Sequence, residues 1–398
     1  MVLALLPKNK ARTGFVRPVA IVPGTASDVG TGVITSATVN SIRILLVADT
    51  HLGFDLPVNP RIIRRRRGHD FLANYAAALQ PALAGEVDIV VHGGDVFNRS
   101  RPPADVVWQA FEPLTRIADR GVPVFVVPGN HERGRIPHLR FAQHPGIHVF
   151  DRPRTFVVEI RNTRVALAGF PSERDAVRAR FADLVTGTGF ADVSASHRLL
   201  CIHQCVEGAT VGAANYTFTT APDVIRAADI PRDFSAVLSG HIHRRQVLTA
   251  DLRGKPLPSP VLYPGSIERT SIAEADEETG YLNVECSQDD QGGNVTWEFR
   301  PLPARPLVRH DLVLEGQSGA EVESLIRTLV ADAPDDAVMS IRVTGPITES
   351  VSEVLSAAFL RSLTPTSMNL DLRLADRSPV VERSNAARQD EEWLELGL

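Results

Sequence analysis

The sequence predicts an α/β protein with two sheets packed face to face, helices outside them, and a small C-terminal α/β domain. Three observations carry that expectation. Three times in the first half an apolar run ends in a polar loop, and helical spacing separates the runs. The middle of the chain then changes to strand-like segments. Finally, Pro301, Pro303 and Pro306 form a connector, beyond which strand and helix patterns alternate again. A chain of 398 residues that is 43% hydrophobic can build one large core and a second small domain.

Ile42 to Ala48 is the first strand, and its near-continuous apolar character places it between two covered faces. Asp49 and His51 follow it. Two residues apart in an extended segment, their side chains are expected on one side. Phe71 to Leu83 has helical spacing. Val87 to Val91 is a buried strand running into Gly93-Gly94, where the backbone turns sharply and presents Asp95. Ala104 to Ala118 is a helix with Pro103 at its start and Gly121 beyond its end. Val122 to Val127 is the third buried strand, ended by Pro128-Gly129-Asn130-His131.

Val149, Phe156 to Ile160 and Arg164 to Ala168 are strand-like, with Arg161-Asn162-Thr163 as a hairpin turn. A helix is expected over Arg174 to Val185. Arg198 to Ile202 and Ala236 to Leu238 are buried strands ending at His203 and at His241/His243. Val261 to Ser266, Tyr281 to Cys286 and Val295 to Phe299 continue as strands. Past the connector, Leu307–Leu314, Ala320–Val330, Val338–Val343, Val351–Leu363 and Met368–Leu374 read strand, helix, strand, helix, strand. The expected division is a flexible extension 1–41, a main domain 42–300, a small domain 301–376 and a flexible tail 377–398. In that tail Trp393, Leu394 and Leu396 are candidates for docking on a partner.

Net charge is −5 and the pI about 6.2, so contact with nucleic acid requires a local patch, metal ions or a partner. Three cysteines do not suggest a disulfide framework and fit a reducing cytoplasm. Cys201 and Cys205 flank His203, but ordinary burial is the expectation for Cys201. No window is apolar and long enough to span a membrane.

The chemistry sits at the strand ends: Asp49-x-His51, Gly94-Asp95, Gly129-Asn130-His131-Glu132, His203 and Gly240-His241-x-His243. A phosphodiester is a stable anion that repels nucleophiles. Two divalent ions about 3.5–4 Å apart make a water nucleophilic at neutral pH and neutralise charge on the phosphate oxygens. Asp95, with two oxygens, is suited to bridge them. Mixed carboxylate, amide and imidazole ligands without thiolate suit manganese, iron or zinc rather than calcium. The residues therefore point to a two-metal phosphoesterase.

This order of motifs resembles the calcineurin-like metallophosphoesterase superfamily over roughly Ile42 to Phe299. Gly93-Gly-Asp-Val-Phe97 followed by Arg101-Pro102-Pro103 resembles one branch, the DNA-repair exonuclease subunit of SbcD type. So do Tyr263-Pro-Gly-Ser-Ile-Glu-Arg-Thr270 with Gly280-Tyr281, and a small capping domain after the core. The resemblance implies a two-sheet metallophosphoesterase sandwich and a DNA exonuclease, with endonuclease action as an added option, that uses manganese. A phosphodiesterase or phosphatase for small phosphate esters, or a non-catalytic DNA-end-binding scaffold, is the alternative. It implies that Asp49, His51 and His243 hold one ion, that Asn130, His203 and His241 hold the other, and that Asp95 bridges. His131 would face the scissile phosphate. Three residues after Asp95 many relatives have a histidine; here it is Asn98. Asn98, Arg99 and Arg101 are the candidate substrate contacts. The resemblance also implies an SbcC/Rad50-type ATPase partner and a homodimer, although the region after the small domain is short here. The basic run Arg61 and Arg64 to Arg67 is expected to be a solvated face, with contact to DNA as the alternative. His92 is expected in the core or behind the ligands. His69, His138, His144, His148, His197 and His310 show no metal spacing.

Overall fold

The computed structural model describes residues 41–57, 62–133, 136, 143–289 and 292–374. Residues 1–40 and the tail 377–398, with Trp393, Leu394 and Leu396, lie outside the described residues, as do Arg61 and His138.

The chain runs β1 (Ile42–Val47), α1 (Arg67–Leu83), β2 (Ile89–His92), α2 (Ala104–Asp119), β3 (Val124–Val126) and β4 (Ile147–Val149). The hairpin β5 (Arg154–Ile160) and β6 (Thr163–Gly169) follows, turning at Arg161 and Asn162, both left-handed. Next come α3 (Val177–Gly187) and β7 (His197–His203). Four two-residue strands, β8 (Cys205–Val206), β9 (Thr210–Val211), β10 (Tyr216–Thr217) and β11 (Val224–Ile225), pair as β8 with β11 and β9 with β10. Then come β12 (Ala236–Gly240), β13 (Gln246–Ala250), β14 (Pro256–Tyr263), β15 (Gly280–Asp289) and β16 (Gly292–Pro301).

Two six-stranded sheets result, ordered β16-β15-β1-β2-β3-β4 and β13-β14-β12-β7-β6-β5. Within them β1 to β4 are parallel, and so are β6, β7, β12 and β14. Parallel neighbours bring their carboxyl ends to one edge, which is where loops of an α/β sheet can build a site. The inner faces share one core: Ile42, Ile44, Leu46, Ile89, Val91 and Phe125 meet Val165, Leu167, Leu199, Cys201, Leu238 and Leu262. On the outer face of the first sheet, Phe71, Tyr75 and Leu79 of α1 and Val107, Phe111 and Leu114 of α2 cover Leu45, Val47 and Val90. Val177, Phe181 and Leu184 of α3 do the same for Leu200, Ile202 and Val237 on the second. Covered on both faces, strands such as β1 must be apolar at every position bar Arg43, as the sequence showed. Each large apolar side chain so buried contributes about 1.5–3 kcal/mol.

Beyond the proline connector lies a three-stranded parallel sheet of β17 (Leu307–Val313), β18 (Val338–Thr344) and β19 (Asn369–Leu374). Its helices are α4 (Gly319–Asp332), α5 (Glu349–Val354) and α6 (Ala357–Leu363). Met339, Ile341 and Val343 alternate into their own core with Val322, Ile326 and Leu360. Two expectations change here. The helix expected over Val351–Leu363 is broken at Ser356, whose hydroxyl accepts from Phe359 N and starts α6 afresh. The strand expected at Val261–Ser266 ends at Tyr263, because Gly265 turns the chain at φ 79°. Its partner β13 went unforeseen, being an edge strand with little apolar alternation.

Among the described arginines of the basic run Arg65 is exposed, Arg64 and Arg66 are half-buried and Arg67 is buried, and all four pair with protein groups. The Arg64 guanidinium donates to Thr364 Oγ1 at 2.7 Å and to carbonyls of Arg361, Thr364 and Met368 in the C-terminal unit. Arg65 pairs with Asp70 at 2.5 Å, and Arg66 with Asp55. Arg67 is buried, lies over the rings of Phe54 and Phe71, and donates to the Arg269 carbonyl. These guanidiniums hold protein to protein because the neighbouring carbonyls and carboxylates take up their donors.

Candidate metal centre

Four loops meet where the two sheets' strand ends face each other. The loop after β1 runs beside the loop after β2, through Asp49 N to Gly94 O (2.9 Å), His51 N to Asp95 O (3.0 Å) and Leu52 N to Val96 O (2.9 Å). Asp49, His51 and Asp95 have φ of 50°, 40° and 50°, and His241 has 85°. The expectation that Asp49 and His51 share a side because the segment is extended is therefore wrong. Both are left-handed, a conformation that costs free energy and persists because this ladder holds it. Close approach explains the glycines. A Cβ on Gly94 would lie 2.3 Å from His203 Nδ1, and one on Gly129 would lie 2.1 Å from Asp95 Oδ1.

The donor atoms converge. His51 Nε2 and His243 Nε2 are 3.0 Å apart. Asn130 Oδ1 lies 2.9 Å from His203 Nε2 and 3.0 Å from His241 Nδ1. Asp95 Oδ2 lies 3.4 Å from His203 Nε2, 3.9 Å from His131 Nε2 and 4.0 Å from His51 Nε2. Asp49 accepts the His241 backbone N–H on both oxygens and so ties the two sheets' loops together. Ligand atoms of Asp49, His51 and His243, of Asp49, Asp95 and His203, and of His51, Asp95 and His131 lie within 4.8 Å of one another in each group. Ring nitrogens 3.0 Å apart beside a central carboxylate are a donor set suited to cations between them. All seven side chains that the sequence picked out as ligands are brought together.

Electrostatics follow from burial. Burial pushes Asp49 up to about 6, against the pull of His203 and His243. Burial also acts to raise Asp95, but the charge of His203 and its hydrogen bond outweigh this and hold the carboxyl well below its usual range. Burial alone would lower His203; Asp95 raises it to about 9. An anionic centre facing cationic rings is the charge pattern that divalent ions would take over.

His131 differs from its neighbours. Its side chain is 25% exposed, whereas those of His51, His203 and His243 are at most 6% exposed. Its Nδ1–H donates to the Asn98 carbonyl at 3.0 Å, which leaves Nε2 facing the cluster. Asn98 thus meets His131 through its backbone, with its side chain half-buried, while Arg99 and Arg101 are exposed. His92 points away: its Nδ1 accepts from Gly94 N and its Nε2 meets Thr50 Oγ1 at 3.0 Å. Burial lowers it to about 3, so it stays neutral. Cys201 and Cys205 are buried in the inner and the outer core. Among the other histidines, His144 bonds Asp119, His148 stacks on Phe125, and His197 is buried.

Two acids escaped sequence reasoning. Glu132 accepts from Phe97 N and Gly129 N, both at 2.7 Å, and so locks the loop after β2 to the loop after β3. Burial pushes its carboxyl up to about 8, with Asp95 adding to the rise. It stood in the Gly-Asn-His-Glu motif, so its position was the available signal. Glu274 accepts from His243 Nδ1 at 3.0 Å. Nothing in its spacing, 31 residues on, could have found it.

A family model described as calcineurin-like phosphoesterase matches residues 42–245, which covers all four loops. The chain belongs to the calcineurin-like phosphoesterase family. Among curated proteins it is similar to a DNA double-strand break repair protein Mre11 of Haloferax volcanii, at 30% identity over 76% of this chain and 61% of that one. It is similar at 24% identity to a protein of the same description from Thermoplasma acidophilum, over 78% of this chain and 79% of that one. A Bacillus subtilis subunit of the nuclease SbcCD is 28% identical over 67% of this chain and 72% of its own length. The chain thus spans about three-fifths of the Haloferax protein. Among the described residues, no helix is long and apolar enough to cross a membrane.

Proposed function

We propose that this protein is a metal-dependent DNA nuclease that hydrolyses phosphodiester bonds. The observation that carries the reading is the convergence of six donor side chains, from loops of both sheets, around a seventh, the buried carboxylate of Asp95. Asp49, His51 and His243 would hold one divalent ion, Asn130, His203 and His241 the other, and Asp95 both. Such a pair activates water and neutralises charge on the phosphate. The donor set favours manganese, with iron or zinc as substitutes.

The chain's own residues supply the rest. His131 stands at the open side with Nδ1–H fixed on the Asn98 carbonyl, so Nε2 faces the place where a phosphate would enter. Protonated there, it would stabilise the phosphate's charge or give a proton to the leaving oxygen. The exposed Arg99 and Arg101 are suited to the phosphates on either side. The relatives described as break-repair proteins and as part of a nuclease support DNA as the substrate. The same reading carries a cytoplasmic location, a homodimer and an SbcC/Rad50-type ATPase partner.

The test is cleavage of end-labelled linear DNA by purified protein, with and without Mn2+. Metal-dependent shortening that Asp95→Asn abolishes is expected. Turnover of a small chromogenic diester with no action on DNA would instead favour a small-ester phosphodiesterase. Binding of DNA ends without cleavage would favour a scaffold.

A further inference from the structure

The donor histidines are not held alike. The outward nitrogen of His203 donates to a backbone carbonyl, Gly93 O, at 2.8 Å. That of His51, Nδ1, is buried with no hydrogen-bond partner among the described residues. His241 turns Nδ1 toward Asn130. His243 alone of these four sets its outward nitrogen on a carboxylate, Glu274 Oε1 at 3.0 Å, with both side chains 6% exposed.

We propose that Glu274 is a positioning residue for His243, fixing its tautomer and ring plane so that the Nε2 lone pair faces His51 and the space between them. An imidazole can carry its proton on either nitrogen, and only the form protonated on Nδ1 presents Nε2 as a donor to a cation. An ionised carboxylate accepts and does not donate, so it selects that form. Glu274 is itself held in place. Thr270 N donates to Oε2 at 2.7 Å and Thr270 Oγ1 to Oε1 at 2.8 Å. The segment carrying it is anchored at both ends: Ser266 N donates to the His243 carbonyl at 3.0 Å, and Arg269 Nη1 to the Ala275 carbonyl at 2.9 Å. The carboxylate is therefore fixed before any ligand arrives. It touches neither the space between the donor atoms nor the open rim, so it acts through His243.

This inference rests on the two-metal reading, and the experiment separates them. Mn2+ titration by calorimetry on wild type, Glu274→Ala, Glu274→Gln and Thr270→Val is paired with imidazole 1H–15N NMR on the metal-free proteins. The expected result is a weakening of one of two Mn2+ sites by about 10–100-fold in Glu274→Ala, with Glu274→Gln, which keeps an acceptor, recovering most of it. The expected NMR signature, read at alkaline pH where the ring is neutral, is an Nδ1–H form of His243 in wild type that gives way to a tautomer mixture in Glu274→Ala. Should that variant not fold, Thr270→Val, which removes a hydroxyl that holds the Glu274 carboxylate, decides by the same two readouts, with a smaller loss in the same direction. A folded Glu274→Ala or Thr270→Val protein with wild-type Mn2+ affinity at both sites and an unchanged His243 tautomer overturns the proposal. Wild-type protein that takes up no Mn2+ overturns the metal reading beneath it.

Discussion

At the scale of single residues the centre divides into side chains that are buried and held and one that is open. His131 is the open one, and its ring is set by a backbone carbonyl rather than by an acid. Replacing it with Asn should cut DNA cleavage by about 10²–10⁴-fold and leave Mn2+ affinity unchanged, as single-turnover kinetics and calorimetry would reveal. Undiminished turnover would remove His131 from the chemistry. Asp88 shows a different residue-scale effect, away from the site. Burial acts to raise its carboxyl, but Arg161 and Arg43 donate to it at 2.7–3.1 Å and hold it well below its usual value. A carboxyl lowered in the folded state stabilises fully above its unfolded value, near 4, and loses that contribution as pH falls below it. Asp88→Asn should cost about 1–3 kcal/mol at pH 7 and progressively less toward pH 3, measured by urea unfolding. A cost independent of pH would show that the charge is not the cause.

At the scale of elements, the loops after β1, β2, β3 and β12 position the site, and the loop after β2 can be broken on its own. Gly94 has φ 108°, and a Cβ there meets His203. Gly94→Ala should displace His203 and weaken Mn2+ binding at least about tenfold even where the protein stays folded, because a misplaced ligand loses its share of the coordination. Wild-type affinity in that variant would show that the loop can relax. Helix α6 offers a contrast. Ser356 caps it far from the site, so Ser356→Ala should cost about 1 kcal/mol in urea unfolding and nothing in metal affinity.

At the scale of the whole molecule, arginines fasten the C-terminal sheet and its helices to the elements before it. Arg305 donates to Asp70 Oδ2 at 2.9 Å, to Asn369 Oδ1 at 2.7 Å and to the carbonyls of Asp336 and Ser367 at 2.6 Å. Arg305→Ala leaves Asp70 with Arg65 alone and several carbonyls unpaired. We expect a loss of about 3–5 kcal/mol and earlier hydrogen exchange in β17, β18 and β19 than in β1, β2 and β7. Uniform exchange throughout would mean that the two parts still unfold as one.

What the sequence determined by itself was the strands buried on both faces and the donor residues at their ends. β1, β2, β3, β7 and β12 are short apolar runs, and the residue types after them are those metal chemistry needs. Local pattern carries that information because a covered strand tolerates little else. The tertiary structure alone decided which backbone conformation aims Asp49 and His51, that the Asn98 carbonyl holds the His131 ring, and that Arg64 to Arg67 pair with protein groups. It alone brought Glu274 behind His243 and Glu132 between two loops. Those contacts join residues far apart in the chain, and spacing along a sequence says nothing about a distance that only the packing of two sheets creates.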